Sequence, residues 1–206
     1  IRVCSFWRNS SSAFQKKYKL SSLDKKARFR SCEDSFVWLN ESMIVNTCFN
    51  ATDPNVGFAL SSDHSTQKCY MADTGLLVTQ TFMDKAFTEN ELYRAILFDK
   101  LSINEGMIME NVVAQMLRAN DHKLYFYSRT DATNRKNDMK IDFLIAEGKM
   151  IASIEVKSNH YVSHSSLDKF RDKFSSKIGN SYILYSKVVT LKDGIIHLPF
   201  YMVVFL

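Results

Sequence analysis

Three ionisable residues in the second half of the chain have types and spacing that suit chemistry on phosphate esters. Asp142 interrupts one apolar run, and Glu155 and Lys157 stand at the end of the next. Hard divalent cations such as Mg²⁺ and Mn²⁺ take oxygen ligands from one or two carboxylates, with water and phosphate completing the shell. An acid and a base side by side therefore indicate a candidate metal-dependent site. A surface hairpin with an ordinary Glu/Lys ion pair is the alternative.

These residues lie on a predicted β-hairpin. Residues 141–146 and 150–156 are mostly apolar, and the link Glu147-Gly148-Lys149 contains the glycine that a tight reversal favours. Because side chains alternate between the two faces of a strand, we expect Glu155 and Lys157 to share one face.

The order Asp142, Glu155, Lys157 resembles the D…(D/E)-x-K signature of the PD-(D/E)XK nuclease superfamily, although Ile141 stands where the signature has proline. The resemblance implies a restriction-endonuclease-like fold, a Mg²⁺ or Mn²⁺ cofactor and hydrolysis of phosphodiester bonds. It also implies catalytic roles for Asp142, Glu155 and Lys157, with the lysine activating the attacking water or stabilising the charge of the transition state.

A third acid, Glu110, lies on the flank of an apolar stripe in a helix predicted over about 104–119. In the superfamily an acid from the first core helix commonly joins the two hairpin acids at the metal. The resemblance therefore implies Glu110, Asp142 and Glu155 as metal ligands. The alternative is a solvated glutamate that only adds polarity to the helix.

Further motifs resemble a family of domains of unknown function that forms the C-terminal half of many prokaryotic AAA+-type ATPases. In chain order they are residues 35–46, the K-x-Y-x-x-D-x-G-L stretch within 67–77, the helix with Gly106 and Glu110, the strand at 124–130 and the acidic hairpin. The resemblance covers nearly the whole chain. It implies a winged-helix-like N-terminal part, a nuclease-like C-terminal part and an ATPase domain upstream in the same polypeptide.

The chain itself has no P-loop. A Walker A motif needs G-x-x-x-x-G-K-[ST], and the Gly148-Lys149 pair is followed by Met150 and lacks the first glycine. We therefore expect no nucleotide-binding (ATP) site in these residues. The chain begins with Ile1 instead of methionine, which favours a fragment of a longer protein.

Positive charge is concentrated at the N-terminus. Residues 1–30 contain nine lysines and arginines against one acid, with aromatic residues interleaved, in a chain of net charge +5. Such a segment could bind nucleic-acid phosphates without recognising a particular base sequence. The alternatives are a solvated helix face and a surface that packs on an acidic partner domain. The candidate nucleic-acid-binding residues are Lys16, Lys17, Lys19, Arg28, Arg30 and Arg129.

We predict an α/β (α+β) protein of two domains. Residues 1–85 form a helical winged-helix-like module, with a short helix over 12–19, a helical stripe of Phe36, Leu39 and Met43, and a small hairpin near 43–45 and 68–71. Residues 86–206 form a restriction-endonuclease-like mixed sheet with flanking helices. One of those helices is predicted over 165–178, with Ser165 and Asp168 as a capping box and Gly179 as its end.

Bulk composition excludes several protein classes. A hydrophobic fraction of 46% with two prolines describes a globular chain, and no run approaches the ~20 apolar residues of a transmembrane helix. The N-terminus lacks the apolar core of a signal peptide. The four cysteines form no C-x-x-C pair, which favours reduced thiols in the cytoplasm.

Two functions compete on this basis. The first is a metal-dependent nuclease domain acting on nucleic acid, with DNA favoured. The second is a catalytically silent module that recognises DNA or a protein on behalf of the ATPase domain. A third possibility is that Asp142, Glu155 and Lys157 form only a structural ion cluster.

Overall fold

The computed structural model of the chain describes residues 18–19, 36–82, 105–130, 137–157 and 163–206. Its strands are β1 (Tyr18–Lys19), β2 (Val45–Ala51), β3 (Ser62–Met71), β4 (Leu124–Arg129), β5 (Met139–Glu147), β6 (Met150–Val156), β7 (Ile178–Tyr185), β8 (Thr190–Lys192) and β9 (Ile195–Pro199). Its helices are α1 (Thr74–Phe82), α2 (Glu105–Ala119) and α3 (Ser165–Lys173), with 3-10 turns at Phe58–Leu60 and Phe200–Phe205 and further helical residues at 36–41.

The strands that the structure describes form one mixed sheet in the order β1-β3-β2-β4-β5-β6-β7-β9-β8. The pairs β2/β4, β6/β7 and β7/β9 are parallel, and the others are antiparallel. The predicted mixed α+β class is therefore confirmed at this level. Strands from both predicted domains join the same sheet, because β2 pairs directly with β4.

Helices cover the two faces of this sheet. Val113, Ala114 and Leu117 of α2 pack in one cluster with Phe143 and Ile154. Leu167 and Phe170 of α3 pack in another cluster with Ile141, Leu144 and Ile151. The strands between the helices are buried on both sides, which explains why β5 and β6 consist largely of apolar residues.

The predicted hairpin is confirmed. β5 and β6 pair antiparallel, with Phe143 opposite Ile154 and Glu147 opposite Met150. The turn places Gly148 at φ +62°, in the left-handed region that glycine enters without strain. The helix predicted over about 104–119 and the strand predicted from Leu124 are confirmed as α2 and β4.

The helix predicted over 165–178 is too long. α3 ends at Lys173, and Ile178 instead begins β7, where it pairs with Ile151 and is buried. The capping box is also wrong, because His164 holds the N-cap position and its ring lies 3.0 Å from the Asp168 carboxylate. Burial of Ile178 in a parallel strand outweighs a helical pattern that continues only in sequence.

The N-terminal prediction needs three corrections. Tyr18 and Lys19, placed in a helix by the sequence, form the edge strand β1, and residues 12–17 lie outside the described part. Phe36 and Leu39 are buried as predicted, but Met43 is 83% exposed at φ +55° because the helical residues end at 41. β2 and β3 are longer than the predicted small hairpin and lie within the large sheet.

None of the helices within the described ranges has the length and apolar content needed to cross a lipid bilayer.

The hairpin turn gives a first prediction. Gly148→Val forces a β-branched residue into the left-handed region and should lower the free energy of unfolding by about 1–2 kcal/mol, whereas Gly148→Asn should cost only a few tenths. No heavy atom lies within 4 Å of the added Cβ, so backbone conformation alone causes the difference. Urea unfolding measures it, and equal midpoints for the two variants would contradict the assigned turn.

Candidate functional site

A fully buried lysine, Lys68, stands at the centre of the polar residues inside the protein. Its Nζ lies 2.6 Å from Glu110 Oε1 and 3.5 Å from Asp142 Oδ1. It also donates to the Tyr70 hydroxyl at 3.2 Å, and that hydroxyl donates to Glu110 Oε1 at 2.6 Å. We call Lys68, Tyr70, Glu110 and Asp142 the Lys68 cluster.

Strand β3 brings Lys68 and Tyr70 to the same place. The two residues are two apart on one strand, so their side chains share the face that α2 covers. The Tyr70 ring packs against Phe143 at 5.4 Å between centroids, and Lys68 Nζ lies 5.3 Å from the Phe126 ring centroid. The ammonium therefore lies near two aromatic rings, those of Tyr70 and Phe126, in addition to the two carboxylates.

Helix α2 is fixed to the end of β3 by side-chain hydrogen bonds next to Glu110. The fully buried Asn111 accepts from the Met71 N–H at 2.8 Å and donates to the Met71 carbonyl at 3.0 Å. Gln115 accepts from the N–H and the hydroxyl of Thr74. These bonds set the height of α2 over the sheet and so place Glu110 beside Lys68.

Asp142 reaches the cluster because β5 is irregular at that point. Tyr125 lies opposite Leu144 while Tyr127 lies opposite Ile141, so β5 contains one extra residue between the two pairs. Such a bulge turns a side chain away from the face that strict alternation would give it. The Asp142 carboxylate then accepts from the Val156 N–H at 3.2 Å.

A second lysine also contacts this carboxylate. Lys140, whose side chain is 57% exposed, places its Nζ 3.1 Å from Asp142 Oδ1. Burial opposes ionisation of Asp142, yet the ammonium groups of Lys68 and Lys140 hold its pKa below the ordinary value. Burial alone would lower the pKa of Lys68, but the carboxylates of Glu110 and Asp142 raise it. Lys68 and Asp142 are therefore both charged at neutral pH.

Glu155 and Lys157 form a separate pair. Lys157 Nζ lies 2.6 Å from Glu155 Oε1, while Glu155 Oε2 is buried with no hydrogen-bond partner within the described ranges. Val156 packs in the cluster under α2, so alternation directs its neighbours to the α3 face. Burial raises the pKa of the Glu155 carboxyl, an effect that Lys157 opposes and Asp142 adds to.

The structure thus divides the predicted site residues between two faces. Glu110 and Asp142 meet at Lys68 on the α2 side, and Glu155 and Lys157 pair on the α3 side. Arg129 is exposed at the end of β4. The backbone of Lys19 forms β1, but its side chain and all of Lys16, Lys17, Arg28 and Arg30 lie outside the described residues.

These contacts determine whether a divalent cation could bind between the predicted ligands. The two acids that meet, Glu110 and Asp142, already share the Lys68 ammonium, so an ion between them would have to displace a fully buried lysine. Within the described ranges, no three His, Cys, Asp or Glu side chains are grouped as a metal site would require. In this arrangement Lys68 takes the place of a cation between Glu110 and Asp142, and the role of Glu110, Asp142 and Glu155 as metal ligands stays a prediction.

Lys68 and Tyr70 were missed as site residues at the sequence level, although they are the K and Y of the K-x-Y-x-x-D-x-G-L stretch. The sequence does contain a signal for Lys68. It is a charged residue followed directly by Cys69, Tyr70 and Met71, in a strand segment whose residue types predict burial. Its partners, 42 and 74 residues further along the chain, leave no local trace.

The Lys68 cluster gives a second prediction. Lys68→Met leaves Glu110 and Asp142 without their shared ammonium and should lower the free energy of unfolding by about 3–5 kcal/mol at pH 7. The depressed pKa of Asp142 stabilises the fold above the unfolded-state pKa, and this contribution disappears as pH falls through the folded-state pKa. The loss should therefore stay nearly constant down to the unfolded-state pKa of 3.8 and shrink below it, as urea unfolding at pH 7 and at a pH below 3.8 can show.

Lys140→Met is the matched control, because it removes an exposed ammonium from the same carboxylate and should cost less than about 1 kcal/mol. If Lys68→Met does not fold, the double variant Lys68→Met/Glu110→Gln should be more stable than the single one, since it removes a buried charge. A single variant as stable as the wild type at pH 7 would refute the buried ion cluster.

Comparisons with known proteins match two stretches of the chain to family models. Neither a curated protein nor a solved structure matches it. Residues 2–86 match a domain of unknown function, DUF8612. Residues 105–201 match another domain of unknown function, DUF4143, which is a C-terminal domain family of AAA-type ATPases.

Proposed function

We propose that this chain is a catalytically silent, nuclease-like module that recognises nucleic acid for an ATPase domain of the same polypeptide. The observation that carries the proposal is the position of Lys68 Nζ, 2.6 Å from one predicted metal ligand and 3.5 Å from another. The restriction-endonuclease-like core, and the winged-helix character of residues 1–85, belong to the same proposal.

Lys68 makes a metal unnecessary for charge balance on the α2 face. Two carboxylates, Glu110 and Asp142, face two ammonium groups, Lys68 and Lys140. A buried ion pair is stable only when its remaining hydrogen-bonding groups are satisfied, and Tyr70 and the Val156 N–H contribute to that here. The cluster therefore acts as a structural core of the module.

Basic side chains at one end of the sheet supply a surface for phosphates. Because β4 and β6 both run antiparallel to β5, Arg129, Lys140 and Lys157 lie at the same end of three neighbouring strands. Lysine and arginine contacts to phosphates give affinity without reading sequence. We favour DNA as the partner, bound through its backbone at this end.

The ATPase partner and the cytosolic location complete the proposal. Support for the first is the DUF4143 match, since that family occurs at the C-terminus of AAA-type ATPases. Support for the second is that Cys48 is fully buried and forms no disulfide among the described residues. The expectation that these residues contain no ATP site stays a prediction.

Metal-dependent phosphodiester hydrolysis is the second candidate, and one specific observation favours it. Glu155 Oε2 is buried without a hydrogen-bond partner among the described residues, beside Lys157. A bound Mg²⁺ or Mn²⁺ would supply Lewis-acid chemistry and an activated water. For Glu155 and Asp142 to hold it together, Asp142 would have to turn away from Lys68, and Lys157 would then stabilise charge on the phosphate.

A calorimetric Mn²⁺ titration separates the two candidates. The silent module predicts no saturable binding in the wild type. Binding should appear in Lys68→Met, because the buried ammonium between Glu110 and Asp142 is then gone and only the exposed Lys140 remains beside Asp142. Adding Glu110→Gln to that variant should remove the new binding. Saturable wild-type binding that both Asp142→Asn and Glu155→Gln abolish would instead reject the silent module and favour the hydrolytic candidate.

Duplex binding tests the basic end of the sheet. Arg129→Gln should weaken binding of a labelled 20-base-pair DNA and reduce the slope of log K against log salt by about 0.9, because one phosphate contact is lost. Lys192→Gln removes the same charge from the exposed strand β8, far across the sheet, and serves as control. Equal effects of the two variants in fluorescence anisotropy would reject this end as the DNA surface.

A further inference from the structure

A cavity of about 260 Å³ lies where β2 and β3 meet the start of β4, away from the Lys68 cluster. Its lining includes Phe49, His64 and Tyr125, together with the cations Arg118 and Lys123. Leu124, next to Lys123, begins β4, whereas Arg129 ends it, so the cavity and the basic end described above lie at opposite ends of that strand.

The walls of this cavity are aromatic. Phe49 is half-buried, and its ring centroid lies 4.6 Å from that of His64. Tyr125 is held in place by Phe58, which stacks on it at 4.7 Å with an interplanar angle of 25°. Flat aromatic surfaces of this kind favour a planar ring, and every nucleobase has one.

The rim of the cavity is positive. Arg118 lies in the last turn of α2 and Lys123 directly precedes β4, and both side chains are exposed. Among the described residues, those that line this cavity include no aspartate or glutamate, and Glu41 lines only the smaller cavity beside it. A ligand with one or more negative charges is therefore favoured there over a cation or a neutral molecule.

Polar groups in the cavity could orient a bound ring. The Asn40 side-chain oxygen accepts from the Thr47 N–H at 3.1 Å, which leaves its Nδ2 as the donor that it offers. Ser62 Oγ lies 3.1 Å from His64 Nε2 and holds that ring at the mouth. An apolar pocket with a few fixed polar groups is the usual form of a ligand site.

A second cavity of about 140 Å³ shares four of these lining residues, namely Asn40, Thr47, Phe49 and His64. Because the two cavities share the Phe49 and His64 rings as lining, we call them together the groove. Two adjoining cavities suit successive units of a strand better than one isolated small molecule.

We propose that this groove binds single-stranded nucleic acid, with a base against Phe49 and His64 and a phosphate at Arg118 and Lys123. The proposal goes beyond duplex recognition at the other end of β4 and does not depend on it. A free mononucleotide has the same chemistry, so the experiment must separate it from a strand.

Fluorescence anisotropy of a labelled ten-residue oligothymidylate tests the proposal on the full chain. We expect saturable binding that Phe49→Leu weakens at least about fivefold, because stacking is worth ~1–3 kcal/mol per base, with the salt slope unchanged. Arg118→Gln and Lys123→Gln should each weaken binding and lower the slope by about 0.7. Lys187→Gln, an exposed cation after β7, is the charge-matched control.

If Phe49→Leu perturbs the fold, as a thermal melt would show, His64→Ala removes the exposed ring of the pair instead and should produce the same loss. Competition by thymidine monophosphate as effective per nucleotide as the oligomer would reassign the groove to free nucleotides and overturn the strand proposal. Absence of oligomer binding, or equal losses for Lys187→Gln and Arg118→Gln, would also overturn it. Arg129→Gln should leave oligomer binding unchanged, so failure here is distinct from failure of duplex binding.

Discussion

The burial of one ammonium group constrains more of this structure than any other contact. Removing a lysine charge from water costs several kcal/mol unless carboxylates and hydrogen bonds replace the solvent. Lys68 meets that requirement only while β3, α2 and β5 are all in place, because Glu110 and Asp142 come from the last two. A slip of β3 by one residue would turn Lys68 to the opposite face, so the cluster also fixes the register of the sheet.

The same interaction joins the two stretches that match different families. Lys68 belongs to the 2–86 stretch, whereas Glu110 and Asp142 belong to the 105–201 stretch. The parallel pairing of β2 with β4 and the hydrogen bonds of Asn111 with Met71 cross the same junction. Each stretch alone would therefore expose a sheet edge and leave buried charges without partners, which explains why they form one sheet.

Sequence reasoning succeeded where the determining contacts are local. Alternation and a turn glycine predicted the β5/β6 hairpin, and alternation correctly placed Glu155 and Lys157 on one face. It failed where tertiary contacts decide the secondary structure. Ile178 fits the helical pattern in sequence but occupies a buried position in strand β7. It could not find Lys68 as the partner of Glu110 and Asp142, because nothing local links residues so distant in the chain.

The β-bulge in β5 explains why the predicted acid set is divided. A prediction from the alternation of side chains assumes a strand without an inserted residue. The sequence therefore gives no sign that Asp142 turns towards α2 while Glu155 stays on the α3 face. The two carboxyls consequently differ in electrostatics: lysines lower the pKa of Asp142, and burial raises that of Glu155. An incoming cation would thus find Asp142 already between two ammonium groups, whereas Glu155 contacts one and keeps its Oε2 without a hydrogen-bond partner among the described residues. For that reason Glu155 is where a hydrolytic function would have to begin.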